Sequence, residues 1–398
     1  MANGGHSRKT ILFLGPLLLL SCGGLITQDD DDQPPPLVVT EDARPSGPGS
    51  VGPSGSRDGS AGPSDASTDQ VVDAHVCVAC GDASCVDTSV DHNNCGACGS
   101  LCAGTCTGGR CLVELAKISS PTGLALDATN LYVTAYDGKV RKVPISGDPV
   151  TVLVDGLKAP WGVAVDATTV YYGDANIVGG GNGATLGSVP IAGGSNTVLV
   201  SNLVGGRILA LGAGHVLWDS GGYQHSTTSI EEVPISGGTP SVVVPKRGGG
   251  FHSIRGMATA DDTLYFSEDT FGLQSVPLAG GPPNVLSSLG TGDLAIDATH
   301  IYFIASGSIL EIPRGGGLVT TLASGQTTPS SIAVDASNVY WTNRYGINQS
   351  TVQRAPIGGG SIVTLATNQG NTDAIAVDAS NVYWLCATAL GSVRKMNK

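Results

Sequence analysis

The chain has 398 residues, 58 of them Gly and only 5% aromatic, so few stretches are free of Gly, Pro or Ser, and a fold built on long helices is excluded. Its formal net charge of −13 is uneven: residues 23–91 hold thirteen acids against Arg44 and Arg57, whereas residues 92–398 hold twenty acids and sixteen bases. No segment carries a basic stripe, which excludes nucleic acid as an expected partner.

At the N-terminus, Arg8 and Lys9 precede an apolar run from Ile11 to Leu20, followed at once by Ser21 and Cys22. A charged start and a short apolar middle give residues 1–21 the layout of an export signal. Ten such residues span about 15 Å as a helix, half a bilayer core, so a permanent membrane helix is not expected. Leu19-Leu20-Ser21-Cys22 resembles a bacterial lipobox. That resemblance implies cleavage before Cys22, whose thiol becomes a thioether carrying acyl chains such as palmitate. Gly23 after the Cys then implies an outer-membrane location in a Gram-negative envelope, periplasmic or surface-exposed. The alternative is an ordinary secretory signal that contains a Cys.

Residues 22–76 follow as an acidic Pro/Gly/Ser linker, with Asp29 to Asp32 and Pro34 to Pro36 near its start. It has too little apolar surface to offset its ordering entropy and is expected to be disordered. About fifty flexible residues have a root-mean-square span of roughly 40 Å, enough to hold a folded head away from a membrane. The four Asp residues lack the loop pattern of an EF-hand and are expected to be solvated rather than to bind calcium.

Residues 77–111 contain eight cysteines: Cys77, Cys80, Cys85, Cys95, Cys98, Cys102, Cys106 and Cys111. An even, dense set in an exported chain predicts four disulfides in a segment too small for a core, with 105 possible pairings left open. Cys77-x-x-Cys80 and Cys95-x-x-Cys98, with His75 and His92 nearby, also have zinc-ribbon spacing, but an oxidising compartment favours disulfides over metal. The stretch from Asp91 to Cys102 resembles a Cys-rich module common in predicted secreted proteins of myxobacteria.

Beyond Cys111 one pattern returns seven times. It reads Leu124-Ala-Leu-Asp127-Ala-Thr-Asn-Leu-Tyr132-Val in the first copy and Ile375-Ala-Val-Asp378-Ala-Ser-Asn-Val-Tyr383-Trp in the last, with anchors between at Asp166, Gly212, Ala260, Asp297 and Asp335. The steps are 39, 46, 48, 37, 38 and 43 residues, the length of a four-stranded propeller blade. Each copy has an inner apolar strand and an alternating second strand. Its third strand ends in a tag such as Val143-Pro144-Ile145, where Pro suits the strand terminus.

An Ala lies two residues before every anchor, from Ala125 to Ala376, and large side chains such as Tyr171-Tyr172 and Tyr340-Trp341 follow in the second strand. That order predicts small residues near a crowded axis and large ones where sheets diverge. The last copy stops after its third strand, and residues 112–118 read as a lone strand able to complete it, which would leave no open sheet edge. The expected fold is therefore all-β: a seven-bladed propeller over residues 112–398, closed by an N-terminal strand. Val339-Tyr340-Trp341-Thr342-Asn343 resembles the core of YWTD propellers, and Pro160-Trp161-Gly162-Val163-Ala164-Val165-Asp166 resembles the blade start of NHL propellers.

Chemistry is harder to find. The five anchor Asp residues open short turns, where an Asx-type bond to the backbone is their expected task rather than metal binding. Neither H-E-x-x-H nor G-x-S-x-G occurs, the seven His residues are scattered, and Cys386 is expected to be a buried inert thiol. No cofactor, metal or catalytic residue is expected. A ligand site is expected on the face formed by loops that precede the inner strands and follow the second strands. There the diverging residues are Trp161, Arg207, Arg255 and Asp373 near the axial mouth, with Asp174, Asp219, Tyr223, His225, Arg247, His252, Glu268, Asn343, Arg344 and Tyr345 in longer loops. Arg beside Trp suits a carboxylate or a sugar. The leading expectation is a binding or scaffolding module for a protein, peptide or glycan, held to the membrane by the N-terminal lipid. The alternative is a lactonase-like hydrolase or lyase with an axial active site, and a third reading is a structural spacer. Carboxylates converging on the axis would favour the enzyme; the mouth residues named above are instead expected to repel a cation.

Overall fold

The computed structural model describes residues 78–80, 84–174, 182–221, 228–247, 253–290, 292–346, 349–388 and 390–398. The signal, Cys22, the linker, Cys77, Tyr223, His225 and His252 lie outside them. All regular structure among the described residues is β-strand.

Seven antiparallel sheets follow one another along the chain. Blade one comprises Pro121–Leu126, Asn130–Ala135, Lys139–Pro144 and Thr151–Val154, each strand paired with the next. The inner strands of blades two to seven are Pro160–Val165, Leu209–Gly212, Ile254–Ala260, Leu294–Ile296, Pro329–Val334 and Thr372–Val377. Each inner strand touches that of the next blade, and the seventh touches the first, so the ring is closed.

Closure uses the expected N-terminal strand. Arg110–Lys117 pairs antiparallel with Ser392–Asn397, the third strand of blade seven, with Ser392 opposite Lys117 and Met396 opposite Leu112. The strand begins two residues earlier than the sequence pattern suggested. It runs back into the cysteine segment, where Thr105–Thr107 pairs with it as a fifth strand on the same sheet. Cys102–Cys111 ties this closing strand to the preceding loop, beside Cys80–Cys98 and Cys95–Cys106. The Cys111 backbone N–H donates to Asn397 Oδ1 at 2.6 Å, so the cysteine segment and blade seven share hydrogen bonds as well as a sheet.

The radial gradient of side-chain size has the expected physical basis. Second-strand residues Tyr132, Tyr172, Trp218, Phe266, Phe303, Trp341 and Trp384 are at most 1% exposed. They form separate apolar clusters, most of which join residues of adjacent blades: Tyr132 packs with Val170 and Tyr172, and partly buried Ala125 lies against the same group. Burying one such aromatic contributes roughly 2–3 kcal/mol, so the cohesion of the ring is spread over its blade interfaces. Near the axis even a methyl group is too large at some points. A Cβ on Gly123 would stand 2.1 Å from the Trp161 carbonyl oxygen, and one on Gly173 would stand 1.9 Å from that of Gly206.

The anchor Asp residues do more than cap a turn. Asp127 Oδ1 accepts the backbone N–H groups of Thr129 and Asn130, both at 2.7 Å, which is the expected Asx bond. Its Oδ2 accepts the hydroxyl of Tyr132 at 2.6 Å, five residues on. The same bond joins Asp166 to Tyr171, Asp297 to Tyr302, Asp335 to Tyr340 and Asp378 to Tyr383. These bonds hold the five carboxyls below the usual Asp range against the opposing effect of burial, Asp335 at about 2 because the Lys398 ammonium adds to them, and burial together with the Asp166 bond pushes Tyr171 up to about 12. In these five blades the buried phenol thus has an acceptor.

The two departing copies lack the Asp acceptor in different ways. In blade three Gly212 replaces Asp and Leu217 replaces Tyr, so donor and acceptor vanish together, and Leu278 and Thr259 crowd the space a Cβ at Gly212 would need. Blade four keeps Tyr265 without its Asp. There Arg314 of blade five reaches across, with Nε 3.3 Å from the Tyr265 hydroxyl and Nη2 2.6 Å from Asp261.

Candidate functional site

Every blade sends the start of its inner strand to one axial cavity of about 410 Å3, within the size range of small-ligand sites. Its wall includes Thr122 of blade one, Trp161 of blade two, Arg207 of blade three, Arg255 of blade four, Asp293 of blade five, Ser330 of blade six and Asp373 of blade seven. Five of the residues singled out from the sequence, Trp161, Arg207, Asp219, Arg255 and Asp373, therefore converge.

Arg207 lies over Trp161, its guanidinium carbon 3.9 Å from the ring centroid, and Tyr136 meets the same indole in a T-shaped contact at 5.4 Å. Such stacking holds a guanidinium flat and turns its N–H edge outward in the ring plane. Arg255 is gripped by Asp269 through two bonds of 2.8 Å, and Arg344, beyond the cavity wall, stands 3.3 Å from Asp373.

Several loop residues expected to face a ligand are instead committed to the scaffold. Asp174 is buried, and its carboxylate accepts the N–H groups of Lys158 and Ala159 at 2.7–3.1 Å. Asp219, although it lines the cavity, does the same for Arg207 and Ile208 at 2.8 and 2.9 Å. Each acid ends a second strand and caps the loop that enters its own inner strand, which would otherwise bury unpaired N–H groups. Asp219 thereby fixes the backbone that presents Arg207. Asn343 donates to Gln326 and Gln353, and buried Glu268 accepts from Gln274 at 3.0 Å with Arg247 at 3.6 Å.

One wall residue escaped the sequence reading. Asp293 of blade five accepts the Ser331 hydroxyl at 2.8 Å and the Ile332 N–H at 3.2 Å, hooking blade five to blade six, and takes its third bond from the Leu294 N–H at 2.9 Å. Burial pushes its carboxyl up to about 6, and pushes Asp219 up to about 7 despite the N–H bonds of Ile208 and Arg207 and the Arg207 charge. Asp373 is also raised by burial, with Arg344 opposing. The expectation of a mouth that simply repels cations is thus corrected: the wall is dipolar, with Arg207 and Arg255 on adjacent blades three and four and Asp293 and Asp373 on blades five and seven. Among the described residues no three His, Cys, Asp or Glu side chains gather in a metal-ligating group.

No family model and no curated protein matches this chain. Among solved structures, it is similar to the WD40 β-propeller domain of Doa1, with 12% identity over 72% of this chain and 97% of that one, at a TM-score of 0.53. It is also similar to the computationally designed Ika8 protein, with 14% identity over 70% of this chain and 98% of the other, at a TM-score of 0.50. A weaker likeness, with a TM-score of 0.46 and 18% identity over 58% of this chain and 90% of that one, is to a chain of a nidogen/laminin complex. At 12% identity the similarity to the Doa1 propeller domain bears on the fold alone.

Proposed function

We propose that this chain is a binding module displayed from the cell envelope on a lipid-anchored tether, and that it recognises a protein, peptide or glycan at the axial mouth. The observation that carries the reading is Arg207 stacked 3.9 Å from the Trp161 centroid on the wall of a cavity to which all seven blades contribute. A flat guanidinium on an indole is a prepaid recognition surface: its donors are oriented before a ligand arrives, so little side-chain entropy is lost on binding. Three disulfides among the described residues ahead of the propeller accord with a compartment outside the cytoplasm.

The test uses the full chain immobilised on beads and challenged with envelope glycan and peptide fractions of the parent cell. Retention is expected for the wild type and lost for the Trp161→Ala/Arg207→Ala double variant. Equal retention by both would contradict a mouth-directed module. The anchor is checked separately by metabolic labelling with a palmitate analogue, which should mark the wild type and not Cys22→Ala.

A further inference from the structure

We infer that the ligand group seated in the axial mouth is an acidic sugar, a pyranose whose carboxylate meets the Arg207 edge and whose hydroxyls meet the opposite wall. This rests on the binding-module reading above and narrows it to a ligand class.

The wall separates into two chemistries. On blades two to four it offers Trp161 and Arg207, a charged donor suited to one carboxylate, while Arg255 is paired with Asp269 and the Asp219 carboxylate accepts the N–H groups of Arg207 and Ile208. On the remaining blades it offers acceptors. Asp293 and Asp373 are carboxylates. The Thr122 hydroxyl donates to the Pro160 carbonyl at 2.7 Å and the Ser330 hydroxyl to the Thr372 carbonyl at 2.6 Å, so each presents its lone pairs rather than its proton. A ligand complementary to both halves carries one anionic group and several hydroxyl donors, which describes a hexuronate and not a simple fatty or aliphatic acid.

A zwitterionic peptide end is the competing occupant. It would place an ammonium among the acceptors, yet Asp373 already has Arg344 at 3.3 Å, and the three bonds to Asp293 all come from neutral donors. Neutral hydroxyl donors fit that half better than a second cation. The cavity, about 410 Å3, admits one sugar ring with water rather than a long oligomer, so a polymer would present a terminal residue.

The readout is intrinsic to the protein. Of its four Trp residues, Trp218, Trp341 and Trp384 are 0% exposed, which leaves partly exposed Trp161 as the indole whose fluorescence a mouth ligand changes. The full chain would be titrated with galacturonate, galactose, acetate and alanyl-alanine, in the wild type, Arg207→Ala and Arg207→Lys. Galacturonate should give a saturable change, with galactose and acetate each at least tenfold weaker and alanyl-alanine weaker than galacturonate. Arg207→Ala should weaken galacturonate at least tenfold. Arg207→Lys should fall between, because it keeps the charge and loses the planar fork.

Equal binding of galactose would show that the carboxylate is not read. Equal binding of acetate would show that the sugar is not, and tighter alanyl-alanine would assign the mouth to a peptide end; each result overturns the inference. If none of the four binds while envelope fractions are still retained through Trp161 and Arg207, the acidic-sugar assignment fails and the binding-module reading stands. If retention is also absent, both fall.

Discussion

The Asp–Tyr bond that recurs in five blades can be tested by a double-mutant cycle at Asp127 and Tyr132. Asp127→Ala removes the acceptor for two turn N–H groups and for the hydroxyl of Tyr132, a residue 0% exposed. The turn is exposed, so water replaces the acceptor there and the loss is modest, about 1 kcal/mol. The stranded phenol costs more, roughly 1–2 kcal/mol, because it is buried and loses its carboxylate acceptor. Tyr132→Phe alone leaves Asp127 with its backbone donors and should cost about 1 kcal/mol. Once Tyr132 is Phe, removal of Asp127 strands nothing, so the double variant should be about 1 kcal/mol more stable than the sum of the single losses. Blade three supplies the natural precedent, lacking both partners in Gly212 and Leu217. Urea unfolding of the four proteins measures the cycle. Additivity within about 0.3 kcal/mol would refute the claim that the pair acts as a unit.

Stability should pass through a maximum on the acid side of neutrality. Asp219 and Asp293 have folded-state values raised to about 7 and about 6, so their contribution is fully present below the unfolded value near 4 and is lost as pH rises through 6–7. The five anchor Asp residues are lowered and act in the opposite sense, losing their contribution as pH falls below about 4. Urea midpoints should therefore rise from pH 8 to about 5 and fall below about 4, and Asp219→Asn should flatten the upper limb; an unchanged limb would remove Asp219 from the explanation. Replacing Cys102 and Cys111 by Ser opens a loop with a sequence separation of 9 and should cost about 2–3 kcal/mol, with faster amide exchange in 110–117 and 392–397 as the local signature. Gly173→Ala should lower the melting temperature by several degrees, because its Cβ would meet the backbone oxygen of Gly206 in the loop entering blade three. An unchanged melting temperature would show that the blades can part at that point.

The fold was readable because a propeller writes itself seven times. A small residue before the anchor, an Asp at the turn and aromatics in the second strand each report a radial distance from the axis, and the unfinished last copy called for the strand before blade one. The cysteine segment was read as a separate unit because its eight thiols dominate its composition, while the signal that it continues into the closing strand, Arg110-Cys111-Leu112, is too short to stand out.

At the candidate site, positions that vary while the repeat stays constant located Trp161, Arg207, Arg255 and Asp373. Asp293 was missed because blade five has Gly292 at the corresponding place and its inner strand starts only at Leu294, so the acid is one residue out of phase with the other copies. Asp174 departs from its expected place for a different reason, and Asp219, although it lines the cavity, spends its carboxylate in the same way. A carboxylate that ends a strand has the same appearance in sequence whether it faces a ligand or closes on the N–H groups of its own blade, and only the fold shows the donors.

Where a ligand touches the molecule separates recognition at the axis from recognition at the rim. Hydroxyl-radical footprinting of the full chain, with and without the envelope fraction it retains, reads that contact residue by residue. Protection should centre on Trp161 and Tyr136 and leave the exposed outer-strand residues Val152, Val242 and Val285 unchanged. Protection of those outer strands with Trp161 still fully reactive would place recognition on the rim and contradict the axial site.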